Sequence, residues 1–344
     1  MKHIICLIIY IYALPVFSSP ICCMDQNRHA IVDTDANLED LIAVLCLLKS
    51  PNTSIKGIFI VGCGACSLSK GGGNLLDTQL LSGKYDVPVY LGAQNSLSEV
   101  GAISPQKRRE VDVVAGIKMP RNQTQTLEAN GVENMVRILM ECEKKMTVFC
   151  MGPLTNIANA LKSKPEIKNK IERIFISAGT LLNRGNMDTK VAGYKNHVAE
   201  FNIAMDARSA SDVFESGLPI TLIPTDVFDH THIGDKMVQN IKEKKDTAAA
   251  NFLYELVSPC KDNYTKLVKN FFATASVIIA NSPEIATYRN LRLGINLKKG
   301  PEYGKVMINK HGNSINVVTS INKDDMFEKI FNLLNKKIDI KAAN

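Results

Sequence analysis

Tryptophan is absent from this 344-residue chain, and aromatic residues make up only 6% of it. Basic residues exceed acidic ones to give a net charge of +7, but they are scattered rather than striped. The densest runs, Lys242-Glu243-Lys244-Lys245 and Lys336-Lys337, have no aromatics between them. A nucleic-acid surface wants clustered cations with stacking rings among them, so the excess reads as a solvated basic face and no nucleic-acid partner is expected. No stretch after residue 16 is long and apolar enough to span a bilayer. Internal repeats, low-complexity segments and Pro- or Ser-rich linkers are also missing, which leaves one domain as the reading. At 45% hydrophobic, the chain can bury a large α/β core.

The N-terminus points to export. Met1-Lys2-His3 precedes an apolar run from Ile4 to Val16 and then Phe17-Ser18-Ser19-Pro20. This is the pattern of a signal peptide over residues 1–20, so a secreted or periplasmic location is expected. Contact with a membrane is expected only if the leader stays uncleaved as an anchor. Of the nine cysteines, Cys6 leaves with the leader, and Cys46, Cys142 and Cys150 sit in apolar patterns like core thiols. Cys22, Cys23, Cys63, Cys66 and Cys260 could pair, in an order the sequence does not give. Asn52, Asn122 and Asn263 each begin a glycosylation sequon.

From residue 24 to 340, strand-like runs alternate with helical periodicity. Ala30–Val32, 55–61, 87–91, 146–151, 171–177 and 220–223 read as strands, and 131–143, 154–161, 204–215, 235–257 and 264–280 as helices. A Gly-rich loop to Gly73 leads into a helix over 74–82, residues 96–128 read as a long loop, and 305–309 with 314–320 read as a hairpin before a last helix from Lys323. Such alternation predicts an α/β fold with a mostly parallel sheet covered by helices. Ligands of open α/β sheets sit outside the C-terminal strand ends. Asp33 and Asp35, Gly62-Cys63, Met151-Gly152 and Thr225-Asp226 all fall at such ends.

The densest chemistry follows the first strand. Asp33, Asp35, Glu39 and Asp40 crowd a turn that opens an apolar helix. Like charges this close repel unless a cation or a ligand's hydroxyls offset them. An acidic helix cap in a solvated loop is the plainer alternative.

Asp33-Thr34-Asp35-Ala36-Asn37-Leu38-Glu39-Asp40 resembles the N-terminal signature of the calcium-dependent (inosine-uridine-preferring) nucleoside hydrolases. Met151-Gly152-Pro153-Leu154-Thr155-Asn156 and Val198-Ala199-Glu200-Phe201-Asn202, followed by Asp206, resemble two further blocks of that family in the same order. Asn37-Leu38 and Arg184-Gly185-Asn186 look most similar to its purine-preferring branch. The resemblance implies a Rossmann-like single domain, hydrolysis of the N-glycosidic bond of a small-molecule ribonucleoside, a Ca²⁺ cofactor and a homo-oligomer. It implies Asp35 as general base and metal ligand, with Asp40, the Met151 backbone carbonyl and, at the late position, Asn270 as further ligands. By the same resemblance Asn37, Glu39, Asn186, Glu200, Phe201 and Asn202 would hold the nucleoside. A catalytically impaired relative that binds nucleosides or sugars without turnover is the alternative.

Departures from the pattern bear on that alternative. Ala36 stands where the family tolerates Pro or Gly, Glu39 is one methylene longer than the usual Asp, and Cys63 replaces an oxygen donor. Near the late helix the family has a ligand Asp, whereas Phe271, Phe272 and Ala273 occupy this region, with Asn270 the nearby oxygen donor. Phe271 or Phe272 could stack on a purine. Cys63-Gly64-Ala65-Cys66 also spells a C-x-x-C, whose redox reading needs a thiolate at a helix start.

Overall fold

The structure is a computed structural model describing residues 28–98, 101, 103–191, 193–228, 233–258, 268 and 270–337. The leader, Cys22, Cys23, Cys260 and the Asn263 sequon lie outside the described residues. The first half comprises β1 (Arg28–Thr34), α1 (Leu38–Lys49), β2 (Thr53–Ile60), α2 (Leu68–Ser82), β3 (Val89–Leu91), α3 (Pro105–Asp112), α4 (Gly131–Glu141), β4 (Met146–Cys150), α5 (Thr155–Ser163) and β5 (Ile171–Ser177). The second comprises α6 (Met187–Lys190), α7 (Phe201–Met205), α8 (Ala207–Phe214), β6 (Ile220–Ile223), α9 (Asp235–Lys244), α10 (Ala248–Val257), α11 (Phe272–Asn281), β7 (Ala286–Ile295), β8 (Val306–Ile308), β9 (Ser314–Ile321) and α12 (Lys323–Asn335).

The strands form one sheet in the order β3-β2-β1-β4-β5-β6-β9-β7-β8. Pairing is parallel from β3 through β9, and antiparallel where β7 meets β9 and β8. Strand periodicity sorts the core into two layers. Ala30 and Val32 of β1 face the cluster built on α1, α2, α10, α11 and α12, while Ile31 between them faces the one built on α4, α5 and α8. Helix α1 is buried along its whole length, which its nearly continuous apolar sequence requires.

After β1 the chain first builds outward through β2 and β3, then returns to add β4 on β1's other side. The β1/β4 boundary is therefore a topological switch point, where the C-terminal strand ends open a crevice for a ligand.

Several sequence expectations change. Helix α2 begins at Leu68, because Gly71 and Gly72 pack rather than loop: a Cβ on Gly72 would lie 2.8 Å from Leu127 Cδ2. Residues 96–128 contain α3, capped by Ser104, whose hydroxyl accepts from Lys107 N. The helix over 204–215 is divided at Asp206, whose φ of −146° is not helical, and 235–257 is two helices joined at Lys245–Thr247. The C-terminal hairpin is replaced by a different pairing. β8 and β9 each pair with β7, a strand the periodicity hid because its exposed edge reads as polar.

Candidate active site

The cavity at the switch point is lined by Asp35, Asn37, Glu39, Asp40, Met151, Ser177, Ala178, Asn186, Lys190, Glu200, Asn202, Thr225, Phe272 and Ala273. It is small, with about 40 Å³ open to water.

Asp35 follows β1 and is held in a seat made of glycine. A Cβ on Gly64 would overlap the Asp35 side chain, and one on Gly152 would come within 2.7 Å of Asp35 N. Ala65 N–H donates to Asp35 Oδ2 at 2.8 Å. Burial raises the proton affinity of Asp35, while its hydrogen bond with Asp40, the Ala65 amide and the nearby Lys190 charge pull it down.

Asp40 is the third residue of α1 and forms a capping box with Asn37: Leu38 N–H donates to Asn37 Oδ1 at 2.8 Å, and Asn37 N–H to Asp40 Oδ2 at 3.3 Å. Thr34 Oγ1 adds a donor to the same Oδ2 at 2.6 Å. Burial, and then the charges of Asp35 and Glu39, push its carboxyl well above the usual range. Ala36 between them takes φ = +52°, a left-handed conformation that costs a residue with a Cβ about 1 kcal/mol.

Glu39 lines the cavity and also reaches α11. Its Oε2 accepts from Ala273 N at 2.9 Å, and Oε1 from Thr274 N at 2.7 Å and Thr274 Oγ1 at 2.6 Å. The extra methylene thus carries the carboxylate to the positive end of a helix that has no cap of its own. Burial raises this carboxyl to about 7 against those bonds.

On the far wall, Glu200 caps α7, accepting from Ile203 N and, at 2.9 Å, from Gly179 N. Capping and cavity lining coexist in this residue, and burial raises its carboxyl too. Asn186 Oδ1 accepts from Phe201 N at 2.7 Å. Asn202 Nδ2 donates to the Met151 and Ser177 carbonyls at 3.0 and 3.2 Å. Under the cavity, Asn156 donates to Asp33 at 2.8 Å, and burial raises the Asp33 carboxyl to about 7.

Two expected positions fall elsewhere. Phe201 is 1% exposed and packs with Ile103, Met187 and Val191 instead of facing the cavity, because its neighbours in α7 already commit that helix face to the core. Asn270 does not line the cavity; Phe272 and Ala273 take that wall, with Phe272 edge-on to Phe228 and Phe271 buried against Phe327. Lys190, one helical turn after Asn186, is a lining residue not anticipated, whereas Thr225, placed at a strand end by the sequence, does line the cavity, its buried Oγ1 without a hydrogen-bond partner among the described residues. The i, i+4 spacing of Asn186 and Lys190 is the signal that would have exposed the lysine.

The Ca²⁺ set implied by resemblance is assembled only in part. Such an ion takes six to eight oxygens. Asp35, Asp40 and Met151 line the cavity together, but Asn270, the expected late ligand, is outside it, and a lysine shares the space. Among the described residues, no three His, Cys, Asp or Glu side chains are placed to hold one metal ion. The residues present therefore do not fit a complete calcium shell.

The C-x-x-C is not a redox pair. Cys63 and Cys66 are free thiols, burial raises Cys63 to about 12, and Cys66 is raised further by burial and by Asp112, to which its Sγ donates at 3.0 Å. Gly64 and Ala65 explain the segment, since they seat Asp35.

Comparison with known proteins agrees with this architecture. Residues 30–328 match the sequence profile of the family described as inosine-uridine preferring nucleoside hydrolase. The chain is 31% identical over 218 residues to a pyrimidine-specific ribonucleoside hydrolase of Photobacterium profundum, covering 63% of this chain and 67% of that protein. It is 32% identical over 212 residues to one from Enterobacter sp., covering 62% and 64%. The match thus spans about two thirds of the curated relatives' length. Among solved structures, an inosine-uridine preferring nucleoside hydrolase from Bacillus anthracis superposes with a TM-score of 0.76 at 20% identity, over 90% of this chain and 100% of that one. A purine-preferring ribonucleoside hydrolase from Gardnerella vaginalis gives 0.75 at 23% identity, over 90% and 98%. At these identities the superpositions establish the fold.

Proposed function

The chain belongs to the inosine-uridine preferring nucleoside hydrolase family, and on that premise we propose that it hydrolyses the N-glycosidic bond of ribonucleosides, purine ribonucleosides foremost, to ribose and free base. The observation that carries this reading is the meeting of Asp35, Asp40, Asn186, Glu200 and Asn202 in one cavity at the switch point. Carboxylates and amides are the acceptors and donors that vicinal sugar hydroxyls require.

Asp35 is the base. Its raised proton affinity suits a carboxylate that must take a proton near neutral pH. The water oxygen bonds to the anomeric carbon as Asp35 removes its proton. The glycosidic bond breaks, its electron pair leaves with the base nitrogen, and that nitrogen takes up a proton from solvent. Buried carboxylates around the sugar stabilise the oxocarbenium-like charge that develops. Purine preference rests on the resemblance of Asn37-Leu38 and Arg184-Gly185-Asn186 and on the Phe272 ring in the cavity wall; the relatives' names include both pyrimidine-specific and purine-preferring enzymes. The apolar leader carries the further proposal that the protein is exported.

The test is ribose release from inosine, guanosine, uridine and cytidine, with Asp35→Asn alongside. Release from the purine nucleosides, lost in the variant, is expected. Saturable nucleoside binding with no release from any of the four would instead establish binding without turnover, the reading that the missing late carboxylate at Phe272–Ala273 favours.

A further inference from the structure

Four carboxylates, Asp35, Glu39, Asp40 and Glu200, line one small cavity, and among the described residues lining it Lys190 is the one basic side chain. Arg108, the other cation nearby, is spent on the carbonyls of Cys66 and Gly64, at 2.9 and 3.0 Å, beneath the Asp35 seat. The Lys190 Nζ is held 4.8 Å from the centroid of the Phe201 ring, which is itself immobilised in the core. The lysine charge reaches Asp35, Glu39 and Glu200, lowering the proton affinity of each.

We infer that Lys190 is the cavity's own cation, standing among the carboxylates where a divalent ion would otherwise be needed, so that this site binds its ribonucleoside without calcium. The inference rests on reading the cavity as the ribose site. The Phe201 ring, which the resemblance implies would meet the nucleoside, serves here as the face on which the ammonium rests. An ammonium offers three donors to sugar hydroxyls and carboxylates. It also repels a divalent ion entering the same small space. Phe272 and Ala273 on the wall where the resemblance places a late carboxylate agree with a site that does not recruit a metal.

The experiment is calorimetric titration of the purified protein and of Lys190→Met with Ca²⁺, followed by thermal unfolding of each with Ca²⁺ or chelator. The wild type is expected to show no saturable Ca²⁺ binding below about 0.1 mM and no change in Tm. Lys190→Met, with the carboxylates uncompensated, is expected to bind Ca²⁺ at least about tenfold more tightly and to gain Tm when it is added. Wild-type binding below about 0.1 mM overturns the inference, as does equal affinity in the two proteins. If Lys190→Met folds only with Ca²⁺, the inference is supported; if it does not fold at all, the wild-type titration decides alone. Neither readout involves turnover, so absence of ribose release would refute the hydrolase reading without touching this one.

Discussion

Glu39 closes the N-terminus of a helix that lies 235 residues further along the chain, with Oε1 bonded to both the amide and the hydroxyl of Thr274. Three donors converge on one carboxylate whose burial is otherwise unfavourable. Glu39→Ala leaves the α11 amides without a cap and is expected to cost about 2–3 kcal/mol, more than a surface cap because the site is buried. Chemical denaturation measures it, and a loss below about 0.5 kcal/mol would show that the cap is dispensable.

Gly64→Ala is expected to reduce ribose release at least about 100-fold, because the new Cβ displaces the Asp35 side chain. Comparing kcat with Tm separates this from general destabilisation: turnover should fall well below what the folded fraction allows. A variant with near-normal turnover would show that Asp35 need not sit where Ala65 N–H holds it.

Ala36→Gly relieves the positive φ and should stabilise the protein, by up to about 1 kcal/mol. Thermal unfolding checks the sign. A fall in Tm would mean that the buried methyl contributes more than the strain costs.

Asp33 links stability to pH. Its carboxyl is near 3.8 in an ordinary setting and near 7 when folded, so between these values the folded protein keeps a proton that the unfolded chain releases. Stability from this group therefore falls as pH rises from about 4 to about 7 and is level above that. Asp33→Asn removes the slope while retaining the bond pattern with Asn156, so its Tm should gain on the wild type toward pH 8 and approach it near pH 4. Parallel Tm curves would rule out a titrating Asp33.

Much of this architecture can be read from the chain because buried parallel strands are written as short apolar runs. Ile171–Ser177 and Ile220–Ile223 are found at the predicted residues. β7 is illegible for the opposite reason, since this antiparallel strand near the sheet's end keeps polar residues on its exposed face. The acidic turn is likewise visible as Asp35, Glu39 and Asp40. What local sequence does not encode is direction. Glu39 points to α11 and Phe201 into the core because of partners remote in sequence, whereas Lys190 could have been found from its i, i+4 spacing to Asn186.

Helix α1 is enclosed along its full length, and the acids Glu39 and Asp40 ride on its first turn. On the opposing wall, Lys190 comes from the short helix α6, and Asn186 and Glu200 from the N-caps of α6 and α7. One jaw of the cavity is thus anchored in the most protected part of the molecule and the other is carried by its lightest secondary structure. With so little free volume between them, the proposed nucleoside would have to displace the wall that carries Asn186, Lys190 and Glu200. Hydrogen exchange there should be fast in the free protein and slow with ligand, while α1 stays protected throughout.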